Sequence, residues 1–136
     1  MTTAVAHILV VDDVSTQRFI TSSIVEKLGY RVESVASGEA AVEYLAHQPV
    51  DLVLLDMIMH PGINGRQTYE RIIEMYPGQK AIIISGFAED EDVKETLRLG
   101  AGSFLKKPLV IHELAMAIQS ELSSDRDSPQ KLSGEI

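Results

Sequence analysis

Three continuous apolar runs in this chain stop at polar groups: Ile8-Leu9-Val10-Val11 before Asp12 and Asp13, Leu52-Val53-Leu54-Leu55 before Asp56, and Ala81-Ile82-Ile83-Ile84 before Ser85. A fourth segment, beginning at Ser103, stops at Lys106 and Lys107. Short unbroken runs of this kind are strands covered on both faces, and between them apolar residues recur at helical spacing. Strands alternating with helices predict an α/β chain whose parallel sheet has helices on both sides. In such an open sheet ligands bind outside the carboxyl ends of the strands. Three carboxylates, a hydroxyl and a lysine therefore converge on one cleft.

Five strand-helix pairs can be read. Ser15 is placed to cap a first helix with Ile20, Ile24 and Leu28 turned inward and Gly29 as its stop. Arg31 to Val35 is a short, partly polar strand suited to a sheet edge. Ser37 caps the next helix, with Ala41, Val42 and Leu45 facing the core and Pro49 just beyond it. After the loop Met57 to Asn64, the helix Gly65 to Tyr76 carries Thr68, Ile72 and Met75 on one stripe, and Pro77-Gly78 turns the chain. Glu89 to Leu99 is the fourth helix, and its acidic start, Glu89-Asp90-Glu91-Asp92, suits a solvated capping segment. Gly100 and Gly102 flank the turn into the last strand, and Ile111, Leu114, Ile118 and Leu122 mark the closing helix. The pattern predicts one domain over 1–123 and a mobile polar tail over 124–136.

The chain has 136 residues and no cysteine, which excludes a disulfide framework, a thiolate metal site and a cysteine nucleophile. No apolar run approaches the roughly 20 residues that cross a bilayer, and the start lacks the features of a signal peptide, so a cytoplasmic protein away from membranes is expected. Twelve basic against twenty acidic residues leave a net charge of -8. An acidic surface repels nucleic-acid phosphates, and leaves metal cations and proteins as natural ligands.

Two adjacent acids after the first strand and a third after the third strand repel one another, and a divalent cation relieves that repulsion. All-oxygen ligation points to a hard ion, Mg²⁺ first with Mn²⁺ as a substitute. A carboxylate can also attack phosphorus to give an acyl phosphate, whose charge a lysine and a hydroxyl would hold. Taken alone, Asp12 could be a helix cap and Asp56 a strand end; the shared strand-end register with Ser85 and Lys107 argues for a site. His60 beside Pro61-Gly62 reads as an exposed loop residue, and Phe19 and Ile20 either dock a partner helix or face the sheet.

Asp12-Asp13, the strand ending at Asp56, Ser85-Gly86, and Gly100-Ala101 leading to Phe104-Leu105-Lys106-Lys107-Pro108 together resemble the receiver domain of two-component response regulators, over nearly all of Ala6 to Leu122. The resemblance implies a flavodoxin-like (βα)5 three-layer sandwich with strand order 2-1-3-4-5. It implies that Asp56 is the phosphoacceptor, that Asp12, Asp13, Asp56 and the backbone carbonyl of Ile58 hold Mg²⁺, and that Ser85 and Lys107 bind the phosphoryl group. Lys106 does not align with that lysine. Phe104 resembles the aromatic switch residue, and Lys107-Pro108 the family's cis peptide. The implied donor is a phosphohistidine on a sensor histidine kinase or a histidine phosphotransfer domain. The implied output is a changed face on the fourth helix, last strand and last helix, which meets a downstream protein or a second copy of the chain.

Pro61 stands five residues past Asp56, one more than in most receivers, a length similar to receivers attached to hybrid sensor kinases. Ile58 and Phe87 occupy positions that tune access of water in receivers, and their bulk predicts slow self-dephosphorylation. Two rival readings stand beside this one. A Mg²⁺-dependent aspartyl phosphatase of the haloacid dehalogenase type expects Asp-x-Asp at the first strand, where this chain has Asp12-Asp13-Val14. A receiver-shaped module that is never phosphorylated would have no reason to retain all five site residues.

Overall fold

The computed structural model describes residues 5–87 and 90–124. Five strands, β1 (His7–Val11), β2 (Arg31–Val35), β3 (Leu52–Asp56), β4 (Ala81–Ser85) and β5 (Ser103–Lys106), form one parallel sheet in the order β2-β1-β3-β4-β5. The helices are α1 (Ser15–Lys27), α2 (Gly38–His47), α3 (Gly65–Met75), α4 (Glu91–Arg98) and α5 (Ile111–Ser123). This is the flavodoxin-like arrangement that the resemblance implied. No helix among the described residues is long and apolar enough to cross a membrane.

The period of two along β1, β3 and β4 divides the core into two halves. Leu9, Val11, Val53, Leu55 and Ile83 point to one side, where α2, α3 and α4 cover them with Leu45, Tyr69, Ile72 and Val93. Ile8, Val10, Leu52, Leu54, Ile82 and Ile84 point to the other, under Val25 of α1 and Leu114 and Ile118 of α5. Each fully buried aliphatic side chain contributes about 1.5–3 kcal/mol, which holds the three central strands as a rigid floor. β2, at an edge, is only partly buried, as its polar composition predicts.

The helices depart from the sequence reading in several places. Ser15 does not cap α1: it is the first helical residue, Val14 takes the cap position, and the side chain of Asp12 accepts the Val14 N–H at 2.9 Å. The inward stripe of α1 is Thr21 and Val25 with Ile24 beside them, while Ile20 is 57% exposed and Leu28 lies near the surface. The buried face of α1 is thus displaced by one residue from its most apolar stripe. Ile111 is 58% exposed, because α5 reaches the sheet only from Leu114 onward. α4 begins at Glu91 rather than at Glu89, which lies outside the described residues, because Asp90 takes the cap position with its carboxylate accepting the Asp92 N–H at 2.7 Å. Of the expected tail, 125–136 lies outside the described residues.

Candidate functional site

Parallel pairing in step brings the carboxyl ends of the strands together. Val11 pairs with Leu55, Asp56 with Ile84, and Ser85 with Lys106, so Asp12, Asp13, Asp56, Ser85 and Lys107 surround one point at the edge of the sheet. One ligand atom from each of Asp12, Asp13 and Asp56 can be chosen so that all three lie within 4.8 Å of one another. Three oxygen donors so close are a fit for a small hard cation.

Asp56 is only 3% exposed. Lys107 Nζ donates to its Oδ2 at 3.3 Å and the Ile58 N–H reaches its Oδ1 at 3.4 Å. Burial nevertheless pushes the Asp56 carboxyl up from 3.8 to about 6, with Lys107 opposing the shift and the Asp12 charge adding to it. An anion this poorly compensated favours both a cation and a new bond to its oxygen.

The other expected residues fall as follows. Ser85 is buried, and its Oγ accepts the Phe87 N–H at 3.1 Å. Lys107 is joined to β4 by its N–H, which donates to the Ser85 carbonyl at 2.9 Å, and the Lys107-Pro108 peptide is cis as expected. Lys106 is exposed and stands apart from the cleft. Phe104 pairs with Ile83 and is half-buried against the core half under α2, α3 and α4. Ile58 and Phe87 are both exposed at the rim, at 42% and 64%. Phe19 and Ile20 face solvent rather than the sheet, and Ile20 also lines a cavity of about 440 Å³ between α1 and the Lys107–Leu109 segment.

Sequence reasoning missed several contacts. Gln17 Oε1 accepts from Lys107 Nζ at 2.9 Å. The His60 side chain is exposed as expected, yet its backbone N–H donates to Asp13 Oδ2 at 3.2 Å, and the His60-Pro61 peptide is also cis. A backbone donor has no residue signature, and a glutamine on a first helical turn carries none either. Gly65 opens α3 as expected, and the structure gives the reason: a Cβ there would meet Met57 Cα at 2.6 Å and the Asp56 carbonyl oxygen at 2.7 Å. Only glycine lets α3 start against the strand that carries Asp56, with its N–H on the Met57 carbonyl at 3.1 Å.

A buried acid flanked by two others and a lysine, at the carboxyl ends of a parallel sheet of this order, suits a phosphoryl group, and with the fold these features define the receiver class of phosphoacceptors. Comparison with known proteins agrees. A profile described as "Response regulator receiver domain" matches residues 8–119, and the chain belongs to that family. It is 33% identical to the chemotaxis protein CheY of Thermotoga maritima over 103 residues, covering 75% of this chain and 85% of that protein. It is 37% identical to the 3',5'-cyclic-nucleotide phosphodiesterase regA of Dictyostelium discoideum over 124 residues, 87% of this chain but 15% of the phosphodiesterase, so that likeness is to one segment. Among solved structures, the receiver domain of the sensor histidine kinase PA1611 from Pseudomonas aeruginosa superposes with a TM-score of 0.81 at 28% identity, over 89% of this chain and all of that one. That crystal structure has a magnesium ion coordinated in its active site cleft. Its origin in a sensor kinase matches the likeness expected from the long loop after Asp56.

Proposed function

We propose that this receiver takes a phosphoryl group from a phosphohistidine onto Asp56. The observation that carries this is the Asp56 carboxylate itself, buried, raised to about 6, 3.3 Å from Lys107 Nζ and grouped with Asp12 and Asp13. An oxygen of Asp56 forms the new bond to phosphorus while the bond from phosphorus to the donor imidazole nitrogen breaks, and that nitrogen leaves with its electron pair and is protonated. Lys107 and the Ser85 hydroxyl receive the phosphoryl oxygens. Asp12, Asp13, Asp56 and the Ile58 carbonyl would hold Mg²⁺, with Mn²⁺ as a substitute. When bound, the ion neutralises the carboxylates and polarises the phosphoryl oxygens.

To bond the phosphoryl group, the Ser85 hydroxyl turns from the Phe87 N–H toward Asp56, and Phe104 moves further into the space vacated. Phosphorylation then biases α4, β5 and α5 toward a second arrangement through contacts that differ between the two states. That face meets a downstream protein or a second copy of the chain. The donor is a sensor histidine kinase or histidine phosphotransfer domain, in the cytoplasm, and neither nucleic acid nor membrane is a direct ligand. The receiver spans 1–123, with 124–136 a polar tail. Ile58 and Phe87 restrict attacking water, so the acyl phosphate is lost slowly.

Incubation with Mg²⁺ and acetyl phosphate tests the reading by mass spectrometry. One added phosphoryl group per chain, absent from Asp56→Asn and from the sample with EDTA, is the expected result. Steady turnover of many phosphate esters would instead favour a phosphatase, and no Mg²⁺-dependent change an inert module.

A further inference from the structure

We propose that Glu39, in the first turn of α2, is a positioning residue for the cation site: it clamps the loop between β3 and α3 so that the His60 N–H keeps its bond to Asp13. The inference rests on the reading of Asp12, Asp13 and Asp56 as the carboxylates that hold the ion.

The loop leaves Asp56 and returns to Gly65; its first half is anchored by the Met57 N–H on the Ile84 carbonyl at 3.0 Å and by the buried Met57 and Met59 side chains, and three hydrogen bonds to side chains tie the rest. The His60 N–H donates to Asp13 Oδ2 at 3.2 Å, the Asn64 side chain donates to Asp92 Oδ2 at 3.3 Å, and the Ile63 N–H donates to Glu39 Oε2 at 2.9 Å. The tie to Glu39 is the shortest, and it is doubled by packing. Gly62 has φ +97, and a Cβ on it would lie 2.6 Å from both carboxylate oxygens of Glu39. The carboxylate is seated against the bare α-carbon of Gly62 while it accepts the next peptide N–H but one residue along the same turn. The Ile63 N–H in turn holds the Glu39 carboxyl below its ordinary range, with Arg71 acting in the same direction, so the acceptor is an anion.

What the clamp protects lies a few residues upstream. The hydrogen bond from His60 occupies one oxygen of Asp13, and ligating carboxylates depend on such bonds for their orientation. Ile58, whose N–H reaches Asp56, is held separately between the buried Met57 and Met59. Release at Ile63 frees the segment from His60 to Gly62 to swing outward. Asp13 then loses its donor.

Calorimetric titration of the full chain with MgCl₂ tests the proposal on four variants, each checked for folding by circular dichroism. Glu39→Ala should weaken Mg²⁺ binding roughly fivefold, less than the 10–100-fold typical of direct supporting partners, and Gly62→Ala should do the same from the other side of the contact. Glu39→Gln keeps an oxygen acceptor and should stay within about twofold of the parent. That rescue separates a clamp from a simple charge at the start of α2, because a charge effect would leave Gln as weak as Ala. Unchanged binding in Glu39→Ala, or equal loss in Glu39→Gln, overturns the proposal. Asp13→Ala is the control for the site: if it too binds Mg²⁺ normally, the reading of the carboxylates fails and the clamp falls with it.

Discussion

Lys107 Nζ lies 3.3 Å from Asp56 Oδ2, but the two groups stand in different surroundings: the lysine side chain is 29% exposed and the aspartate 4%. A half-solvated cation repays only part of the cost of burying an anion, which is why Asp56 stays raised to about 6 beside a lysine. The ammonium is shared with Gln17, so it is positioned without being consumed by Asp56.

Removing the lysine charge should push Asp56 higher still. In Lys107→Met, carboxyl ¹³C NMR of the metal-free protein should show Asp56 titrating above about 6, and labelling by acetyl phosphate should slow about 10- to 100-fold. An unchanged titration would mean that the pair does not interact.

Asp56→Asn should stabilise the metal-free protein at neutral pH. The folded carboxyl binds its proton more tightly than the unfolded one, so between 3.8 and about 6 the native state carries the extra proton and stability falls as pH rises. Above that window the parent bears the full cost of the buried charge; below it both forms are neutral and the cost is absent. Chemical denaturation in EDTA should show Asn gaining about 1–2 kcal/mol at pH 7.5, after allowance for water reaching the cleft, and nothing below pH 3.8.

Ile58 and Phe87 flank the mouth of the cleft. The phosphorylated protein, freed of donor, should lose its label over minutes to hours, and Ile58→Asn should shorten that time severalfold by admitting and orienting water. A lifetime of seconds in the parent would remove Ile58 and Phe87 from the account of dephosphorylation.

Phe19 is 72% exposed and precedes Ile20, which lines the cavity beside Lys107. Phe19→Asp should leave the thermal midpoint and labelling by acetyl phosphate unchanged, while transfer from a phosphorylated histidine phosphotransfer domain slows at least tenfold. Equal transfer rates would place the partner elsewhere.

The strand runs were legible because burial on both faces demands unbroken apolar residues, and a sheet of such strands must put Asp12, Asp13, Asp56, Ser85 and Lys107 at one end. Helix phase was less legible. Ile20, Ile24 and Leu28 form the more apolar stripe, yet the sheet receives Thr21 and Val25, because the seat of the helix on the strands, and not apolarity alone, decides which stripe is covered. The buried Tyr69 and Glu121 escaped for the same reason: each is polar at one end and is accepted only where a partner waits, Gln79 O for Tyr69 and Ser103 Oγ for Glu121.

By itself the sequence determined the class of fold and the identity of the chemical groups at the strand ends, since periodicity and strand-end register are properties of the chain read in order. Only the tertiary structure decided the surroundings of those groups: how deeply Asp56 is buried, that Gln17 shares Lys107, and that Glu39 and the His60 N–H reach the loop and Asp13. Those contacts join residues of ordinary surface type, or bare backbone, across long separations in the chain. Distance and desolvation, which set their energies, exist only once the elements have packed.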